Sequence, residues 1–213
     1  MNSLGDFLGA VLHLDVYLTS IVQQYGILTY PLLFLIIFLE TGIVIFPFLP
    51  GDSLLFTAGA IAAIGNLNGF SLLALIALAA VVGDTVNYWI GFHVGERIFI
   101  EKKLINIKYL HRAEQFYSKN GAKTIFLARF IPIIRTFAPF VAGVGKMRYP
   151  VFLLYNIVGA IVWTSVFVLS GYFLGNVTFV KEHFSILIIV IILISLIPLL
   201  VEFFRQRKSN FLP

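Results

Sequence analysis

The sequence of 213 residues contains no cysteine and few charged residues. Without thiols the chain can form neither disulfide bonds nor thiolate metal sites. Charged residues make up only 12% of the chain, whereas 60% of its residues are hydrophobic and the mean hydropathy is +0.98. A soluble domain of this length needs far more polar surface, so most of the chain must face lipid. The composition therefore predicts an integral membrane protein.

Lysine and arginine are absent from residues 1–96, whereas seven of them lie between Arg97 and Lys123. The missing basic start also argues against a cleavable signal peptide. Because positive charge resists translocation, basic loops of membrane proteins stay cytoplasmic. We therefore expect the central loop and the basic C-terminal tail inside the cell, in contact with anionic lipid head groups. A short loop between membrane segments is a poor nucleic-acid site, so no nucleic-acid partner is expected.

The apolar segments divide the chain into three parts. Residues 1–25 carry an apolar stripe interrupted by Asp and Gln, typical of an interfacial amphipathic helix. Residues 26–176 are predicted to form the main domain, and residues 177–213 an additional C-terminal transmembrane helix with a basic tail. The main domain is predicted to contain spanning helices at about 70–92 and 151–174 and a cytoplasmic loop at 96–122. The predicted fold class is thus an all-α membrane protein.

Two further apolar segments of the main domain, at about 27–65 and 123–145, are interrupted by helix-breaking residues. A span takes about 20 residues, so residues 27–46 are long enough to cross, but they contain Glu40 and run into a Pro-Gly break. The apolar run that follows, residues 54–64, is too short for an ordinary span. Broken backbone is tolerated at membrane depth only where protein or a water-filled cavity covers it. We therefore predict two re-entrant hairpins. The residues predicted to break them are Pro50, Gly51, Pro132 and Pro139.

The two halves of the main domain share a repeated pattern. Each broken segment contains an Ala-Gly pair, ending at Gly59 or Gly143, and each following helix ends in Gly-aromatic-x-x-Gly, starting at Gly91 or Gly171. These small residues also favour close helix packing. With the central loop inside, the first spanning helix runs inward and the second outward. The halves are therefore predicted to be an inverted repeat of hairpin plus helix, as in many transporters.

Four charged side chains lie inside the broken segments: Glu40 and Asp52 in the first, Arg129 and Arg135 in the second. Each costs a few kcal/mol at the bilayer centre, and four unpaired charges cost on the order of 10 kcal/mol. One interpretation is a set of buried ion pairs that hold the hairpins together. The other is a polar cavity in which the two arginines hold an anion, since a guanidinium fork suits phosphate oxygens. The carboxylates would then gain and lose protons.

Other polar and aromatic residues give weaker signals. Asp84, Asn87 and Tyr88 on the first spanning helix are predicted to line the cavity, although a helix–helix hydrogen bond explains the first two equally well. Trp89 and Trp163 are interpreted as membrane-interface anchors. The four histidines lie outside the hairpins, without metal-ligand spacing or a paired nucleophile. Neither a metal nor a cofactor is expected, and an enzyme is the weakest alternative.

Three stretches of the sequence stand out together. They are ARFIPIIRTFAP at residues 128–139, FLPGD at 48–52 with Glu40 before it, and GD at 83–84 followed by YWIG at 88–91. They resemble the signature of the DedA (VTT-domain) membrane proteins over roughly residues 26–176. The resemblance implies two facing re-entrant loops and lipid transport, with Glu40, Asp52, Arg129 and Arg135 as the essential charged residues. Bacterial members are associated with returning undecaprenyl phosphate across the inner membrane and with the proton-motive force and envelope stress; eukaryotic relatives scramble phospholipids.

The leading hypothesis is therefore a flippase for a polyprenyl phosphate in the bacterial inner membrane. Arg129 and Arg135 would bind the phosphate while the prenyl tail stays in lipid through a lateral opening. Glu40 and Asp52 would bind protons, or pair with the arginines in the empty site. A proton-coupled transporter of ions or drugs and a general phospholipid scramblase are the alternatives, because both would use the same charged residues.

Overall fold

The computed structural model describes residues 14–42, 51–100, 121, 123–175, 177 and 190, and these residues form helices without any β-strand. The helices are α1 (Leu14–Tyr25), α2 (Thr29–Gly42), α3 (Gly51–Ala63), α4 (Gly69–Ile100), α5 (Lys123–Ala128), α6 (Pro132–Val144) and α7 (Tyr149–Leu174). Among the described residues, three helical segments are long and apolar enough to cross a membrane: Val16–Gly42, Gly69–His93 and Tyr149–Leu174. The predicted all-α membrane protein is confirmed.

Several predictions concern residues outside the described ones. They are the start of the N-terminal helix at residues 1–13, the hairpin breaker Pro50, the loop residues 101–120 and the C-terminal transmembrane helix.

The helical segment at the start of the described residues is interrupted once. A 3-10 turn at Gly26–Leu28 separates α1 from α2, and Gly26 has a φ of +53°. Glycine adopts this left-handed conformation at no steric cost, so α1 ends at the residue before it. The sequence predicted that residues 1–25 form a helix lying at the membrane interface. In the structure, most of α1 belongs instead to a longer segment, Val16–Gly42, which is long and apolar enough to span.

Helix α4 is longer than the sequence indicated. It continues to Ile100, five residues into the stretch predicted as a loop from residue 96. No proline or glycine lies between Gly95 and Gly121, and Glu96 and Arg97 are good helix formers. The polar composition of this stretch, which suggested a loop, therefore does not end the helix.

The second broken segment forms a helix–turn–helix. Helix α5 packs on α6, and residues 129–131 form the turn between them. Pro132 is the first residue of α6, where its missing N–H costs no helical hydrogen bond. Pro139, predicted to break the segment, instead lies inside α6, so that prediction is wrong for this residue. Proline is tolerated inside apolar helices because neighbouring groups can satisfy the one carbonyl it leaves without a donor.

The chain divides into two compact units. The first contains residues 1–29, 50–69 and 167–213. In this unit α1 packs on α3, and α3 crosses the end of α7 at two glycines. A Cβ on Gly59 would collide with the carbonyl of Val168, and a Cβ on Gly171 would collide with the carbonyl of Phe56. Both glycines are therefore required for this close crossing.

The second unit contains residues 30–49 and 70–166. Here α6 crosses α4, and the contacts have the same spacing as those in the first unit. A Cβ on Gly143 would meet the carbonyl of Tyr88, and a Cβ on Gly91 would meet that of Phe140. In both units each glycine lies against the carbonyl of the residue three positions before the opposite glycine. The close packing predicted from Gly91 and Gly171 is confirmed.

The core of the second unit lies around the ring of Tyr88. The ring stacks on Phe152 with 4.6 Å between centroids, and the Tyr88 hydroxyl donates a hydrogen bond to the carbonyl of Met147. Ile125 of α5 and Ala142 of α6 are buried in the same cluster. This core joins α4 and α7 to the helix–turn–helix and so holds the turn at residues 129–131 in place.

Candidate functional site

The second unit contains a cluster of buried charged and polar side chains. The first part of it surrounds Arg129, in the turn between α5 and α6. The Nη2 atom of Arg129 donates a hydrogen bond to Oδ2 of Asp84 on α4, with which it forms an ion pair. The same atom donates to Oδ1 of Asn156 on α7 over 2.5 Å. The amide of Asn156 in turn donates to the carbonyl of Val81 over 3.1 Å, which fixes its orientation.

The second part surrounds Arg135, which lies one turn into α6. Its Nη2 atom donates to Oε1 of Glu40 on α2, forming a second ion pair. Both side chains are 5% exposed or less. The structure thus joins the two broken segments through Glu40 and Arg135, as one of the two interpretations of the sequence expected.

Trp163 on α7 connects the two ion pairs. The Cζ atom of Arg135 lies 4.8 Å from the centroid of the Trp163 ring, and the Cζ atom of Arg129 lies 6.0 Å from it. Both distances are within the range of cation–π interactions. Trp163 is completely buried, so its interpretation as an interface anchor is wrong, whereas Trp89 is 39% exposed. The indole provides a polarisable, apolar wall that both guanidiniums share.

Asn87 holds the surrounding backbone. Its Nδ2 atom donates to the carbonyl of Thr41 on α2 over 3.2 Å and to the carbonyl of Thr136 on α6 over 2.7 Å. Helix α2 approaches α4 closely here, because a Cβ on Gly83 would collide with the Thr41 hydroxyl. Asn87 therefore makes the helix–helix hydrogen bonds that were the alternative to a cavity-lining role.

Three buried polar atoms of this cluster have no hydrogen-bond partner among the described residues. They are Oδ1 of Asp84, Oδ1 of Asn87 and Nη1 of Arg129. Buried polar atoms are paired in the large majority of cases, and one that is left over costs about 1–3 kcal/mol. Together the three supply two acceptors and a charged donor that can bind a further polar group.

The cluster is electrically balanced. It contains two guanidinium groups and two carboxylates, all almost fully removed from solvent. Transferring such pairs out of water is costly, and apolar residues of similar volume would stabilise a fold at least as well. This cluster of ionisable groups is therefore the candidate functional site of the protein.

Three other residues were predicted for the site or for its hairpins. Asp52 belongs to the first unit, where it is half-buried in the first turn of α3, a position that favours an acidic side chain. Gly51 is the first residue of that helix. Tyr88, predicted to line the cavity, instead lies in the aromatic core described above, because its hydroxyl finds a backbone carbonyl there.

The sequence did not predict the two hydrogen-bond partners of Arg129. Asp84 was predicted to line the cavity or to make a helix–helix hydrogen bond, but not to pair with Arg129, although a carboxylate in the middle of a spanning helix is itself a signal for a buried cation. Asn156 was not among the predicted site residues. Within the described part of the chain, no group of three or more His, Asp or Glu side chains is placed to hold a metal ion.

Comparison with known proteins assigns the family. The VTT domain matches residues 49–173, and Protein DedA of Escherichia coli (strain K12) is 48% identical over 203 residues, 93% of each chain. The chain belongs to the DedA family. An uncharacterized membrane protein of Mycobacterium tuberculosis (strain ATCC 25618 / H37Rv) is 43% identical over 190 residues, 87% of this chain and 83% of its own.

A more distant relative is the inner membrane protein YghB of Escherichia coli (strain K12), 33% identical over 156 residues, 72% of this chain and 71% of its own. No solved structure matches the chain significantly. The names of these relatives and the three apolar helices agree that this DedA-family protein is a membrane protein.

Proposed function

We propose that this DedA-family protein is a flippase that moves a polyprenyl phosphate, with undecaprenyl phosphate as the first candidate, across the bacterial cytoplasmic membrane. One observation carries the proposal. Arg129 and Arg135 are buried in a membrane protein, both lie against Trp163, and each is paired with a carboxylate. No purely structural requirement calls for two such pairs side by side.

The chemistry of the pairs suits a phosphate ligand. A guanidinium presents the same planar fork of donors to a carboxylate and to a phosphate. The oxygens of Asp84 and Glu40 therefore stand where phosphate oxygens would bind. Both guanidiniums lie within about 6 Å of one indole centroid, which supports assigning them to a single anion site.

Release of the phosphate follows from competition for the arginines. Protonation of Glu40 or Asp84 would remove the negative charge that holds the paired guanidinium and leave that arginine for the phosphate. Loss of the proton would restore the ion pair and expel the anion. The exchange keeps the buried charge near zero at each step, which avoids the cost of an unpaired ion in the membrane. Asp52 is a further proton-binding candidate, in the first unit.

The architecture proposed for this exchange is the inverted repeat of two re-entrant hairpins. Supporting it, the crossing of α3 with α7 and that of α6 with α4 use the same glycine-to-carbonyl contacts at the same spacing. In this arrangement residues 26–176 form the transport domain, the basic central loop and the C-terminus face the cytoplasm, and the loop contacts anionic lipids.

The test is a translocation assay with purified protein in liposomes that contain a labelled polyprenyl phosphate. The measured quantity is the rate at which the outer-leaflet pool becomes inaccessible, at two pH gradients and at equal reconstitution. We expect fast movement in the wild type, loss in Arg129→Ala and Arg135→Ala, and a changed gradient dependence in Glu40→Gln. Arg148→Ala is the matched control, since Arg148 is an exposed arginine outside the cluster.

Other outcomes point to the alternatives. If the polyprenyl phosphate does not move but a pH gradient drives a solute flux that requires Arg135, the protein is a proton-coupled transporter of ions or drugs. If ordinary phospholipids move as fast as the polyprenyl phosphate, it is a general scramblase. Equal rates in the arginine variants and the wild type would contradict the anion site altogether.

A further inference from the structure

A groove of about 370 Å³ lies between α5 and α7 in the second unit. Phe126 and Leu127 of α5 and Leu154, Tyr155 and Val158 of α7 line it, together with the exposed Lys123 at the start of α5. Leu127 and Leu154 are each about 60% exposed. The groove is therefore an open, apolar surface with one cationic end.

The inner side of this groove adjoins the arginine cluster. Gly159 follows Val158 on α7, and a Cβ at this position would lie 3.3 Å from Nε of Arg129 and 3.6 Å from the Cα of Phe126. Since glycine has no side chain, Arg129 lies directly against the α7 backbone. Arg129 and the groove-lining residue Phe126 thus approach the same point of the α7 backbone.

We propose that this groove binds the hydrocarbon chain of the transported lipid phosphate, with Lys123 and Arg129 available to its phosphate. The inference rests on the proposed function and assigns to named residues the lateral opening that such a lipid needs. The ligand class follows from charge and shape: apolar walls fit a hydrocarbon chain, and the two nearby cations fit its anionic head. The volume is at the lower end of the about 300–1,000 Å³ usual for small-molecule sites, so it holds a segment of the chain nearest the phosphate.

The groove makes a prediction that the arginine cluster alone does not. A larger side chain in the groove should weaken binding of a prenyl phosphate but not of inorganic phosphate. Val158→Phe provides the obstruction, and Val166→Phe is the matched control: both are valines on α7, 44% and 47% exposed, and only Val158 lines the groove. Helix geometry separates them by about 12 Å along the axis.

The experiment measures binding of farnesyl phosphate and of inorganic phosphate to the purified full chain in detergent. Partition of farnesyl phosphate into micelles is the same for all variants, so it cancels in the comparison. We expect Val158→Phe to lower the farnesyl phosphate affinity about tenfold relative to Val166→Phe, with inorganic phosphate affinity unchanged. Leu127→Trp, at a more exposed position, should act in the same direction and serves if Val158→Phe fails to fold.

The role of Lys123 is tested by a separate variant. Lys123→Met should weaken binding of farnesyl phosphate and leave binding of farnesol unchanged, because only the phosphate meets the lysine. An equal loss for the alcohol and the phosphate would contradict the role given to Lys123.

The outcomes separate failure of the groove from failure of the proposed function. If Val158→Phe and Leu127→Trp match Val166→Phe while Arg129→Ala abolishes binding of both phosphates, the groove proposal is wrong and the anion site stands. If the wild type binds neither phosphate, the proposed function fails and the groove proposal fails with it.

Discussion

The ion pair of Arg129 and Asp84 allows structural and functional roles to be separated in one experiment. We consider Asp84→Asn and Arg129→Gln, which each remove one charge of the pair, and the double variant, which removes both. The two side chains are 4% exposed or less, and their hydrogen bonds are confined to each other and Asn156 among the described residues. Each single variant therefore leaves one buried charge without its counter-ion.

The magnitudes follow from the burial of the pair. Removing one partner of a buried ion pair costs about 3–5 kcal/mol, and we expect about 3 kcal/mol for each single variant because the new amide can still hydrogen-bond. If the two effects were independent, the double variant would lose about 6 kcal/mol. Since it contains no unpaired charge, we expect a loss of no more than about 3 kcal/mol, a coupling of about 3 kcal/mol.

The two single variants should lose similar stability, but their affinities for phosphate should change in opposite directions. Asp84→Asn removes the competitor of the phosphate, so affinity for inorganic phosphate should rise about tenfold, as expected for one charge-assisted hydrogen bond gained. Arg129→Gln removes the donor, so phosphate binding should fall below detection. Transport should be slow in both, because one variant retains the anion and the other does not bind it.

The assays are equilibrium unfolding in mixed micelles and phosphate binding to the purified variants. Additive losses of stability would show that the two side chains do not interact as described. Equal, unchanged phosphate affinity in both single variants, together with a stability loss in each, would refute the competition between carboxylate and phosphate and leave a purely structural ion pair.

Three further predictions concern other residues. Arg135→Lys should lose most transport at unchanged expression, because the lysine ammonium keeps the charge but not the fork; normal transport would contradict this. Gly143→Ala should destabilise the protein by about 1–3 kcal/mol in thermal unfolding, since the new methyl group meets the Tyr88 carbonyl; the control Gly69→Ala, whose Cβ meets only a ring at 3.7 Å, should change stability little. Trp163→Leu should weaken phosphate binding more than Trp163→Phe, which keeps a ring beside both guanidiniums; equal losses would exclude a cation–π role.

The arginines and Glu40 could be predicted from the sequence because one physical rule singles them out. A charge inside an apolar segment is costly, and a broken segment offers it a polar environment. The same rule applies to Asp84, yet on an unbroken helix nothing in the sequence says which residue it faces. Its partner Arg129 lies 45 positions away and is brought to it by the packing of the hairpin on α4.

The sequence-based predictions failed at residue types that serve several structural roles. Tryptophan is common at membrane interfaces, but it also suits a buried wall beside cations, and only packing decides between these uses. Proline starts a helix at Pro132 and is accommodated within one at Pro139. The two prolines differ in the groups that surround them in the fold, and residue preferences do not contain that information. The glycine crossings, by contrast, could be predicted because close helix approach leaves few alternatives to glycine.

The pairing of each arginine with its own carboxylate explains why a translocation site would carry four charges instead of two. Two arginines alone would hold a phosphate tightly, and the bound lipid would leave slowly on either side. Two permanent ion pairs would exclude it. A carboxylate that can take up a proton would lie between these limits. It would compete with the phosphate for the arginine when ionised and would no longer compete when protonated. With two such pairs against Trp163, the proposed mechanism would let each arginine exchange its partner in turn, so that the site would never hold more than one uncompensated charge.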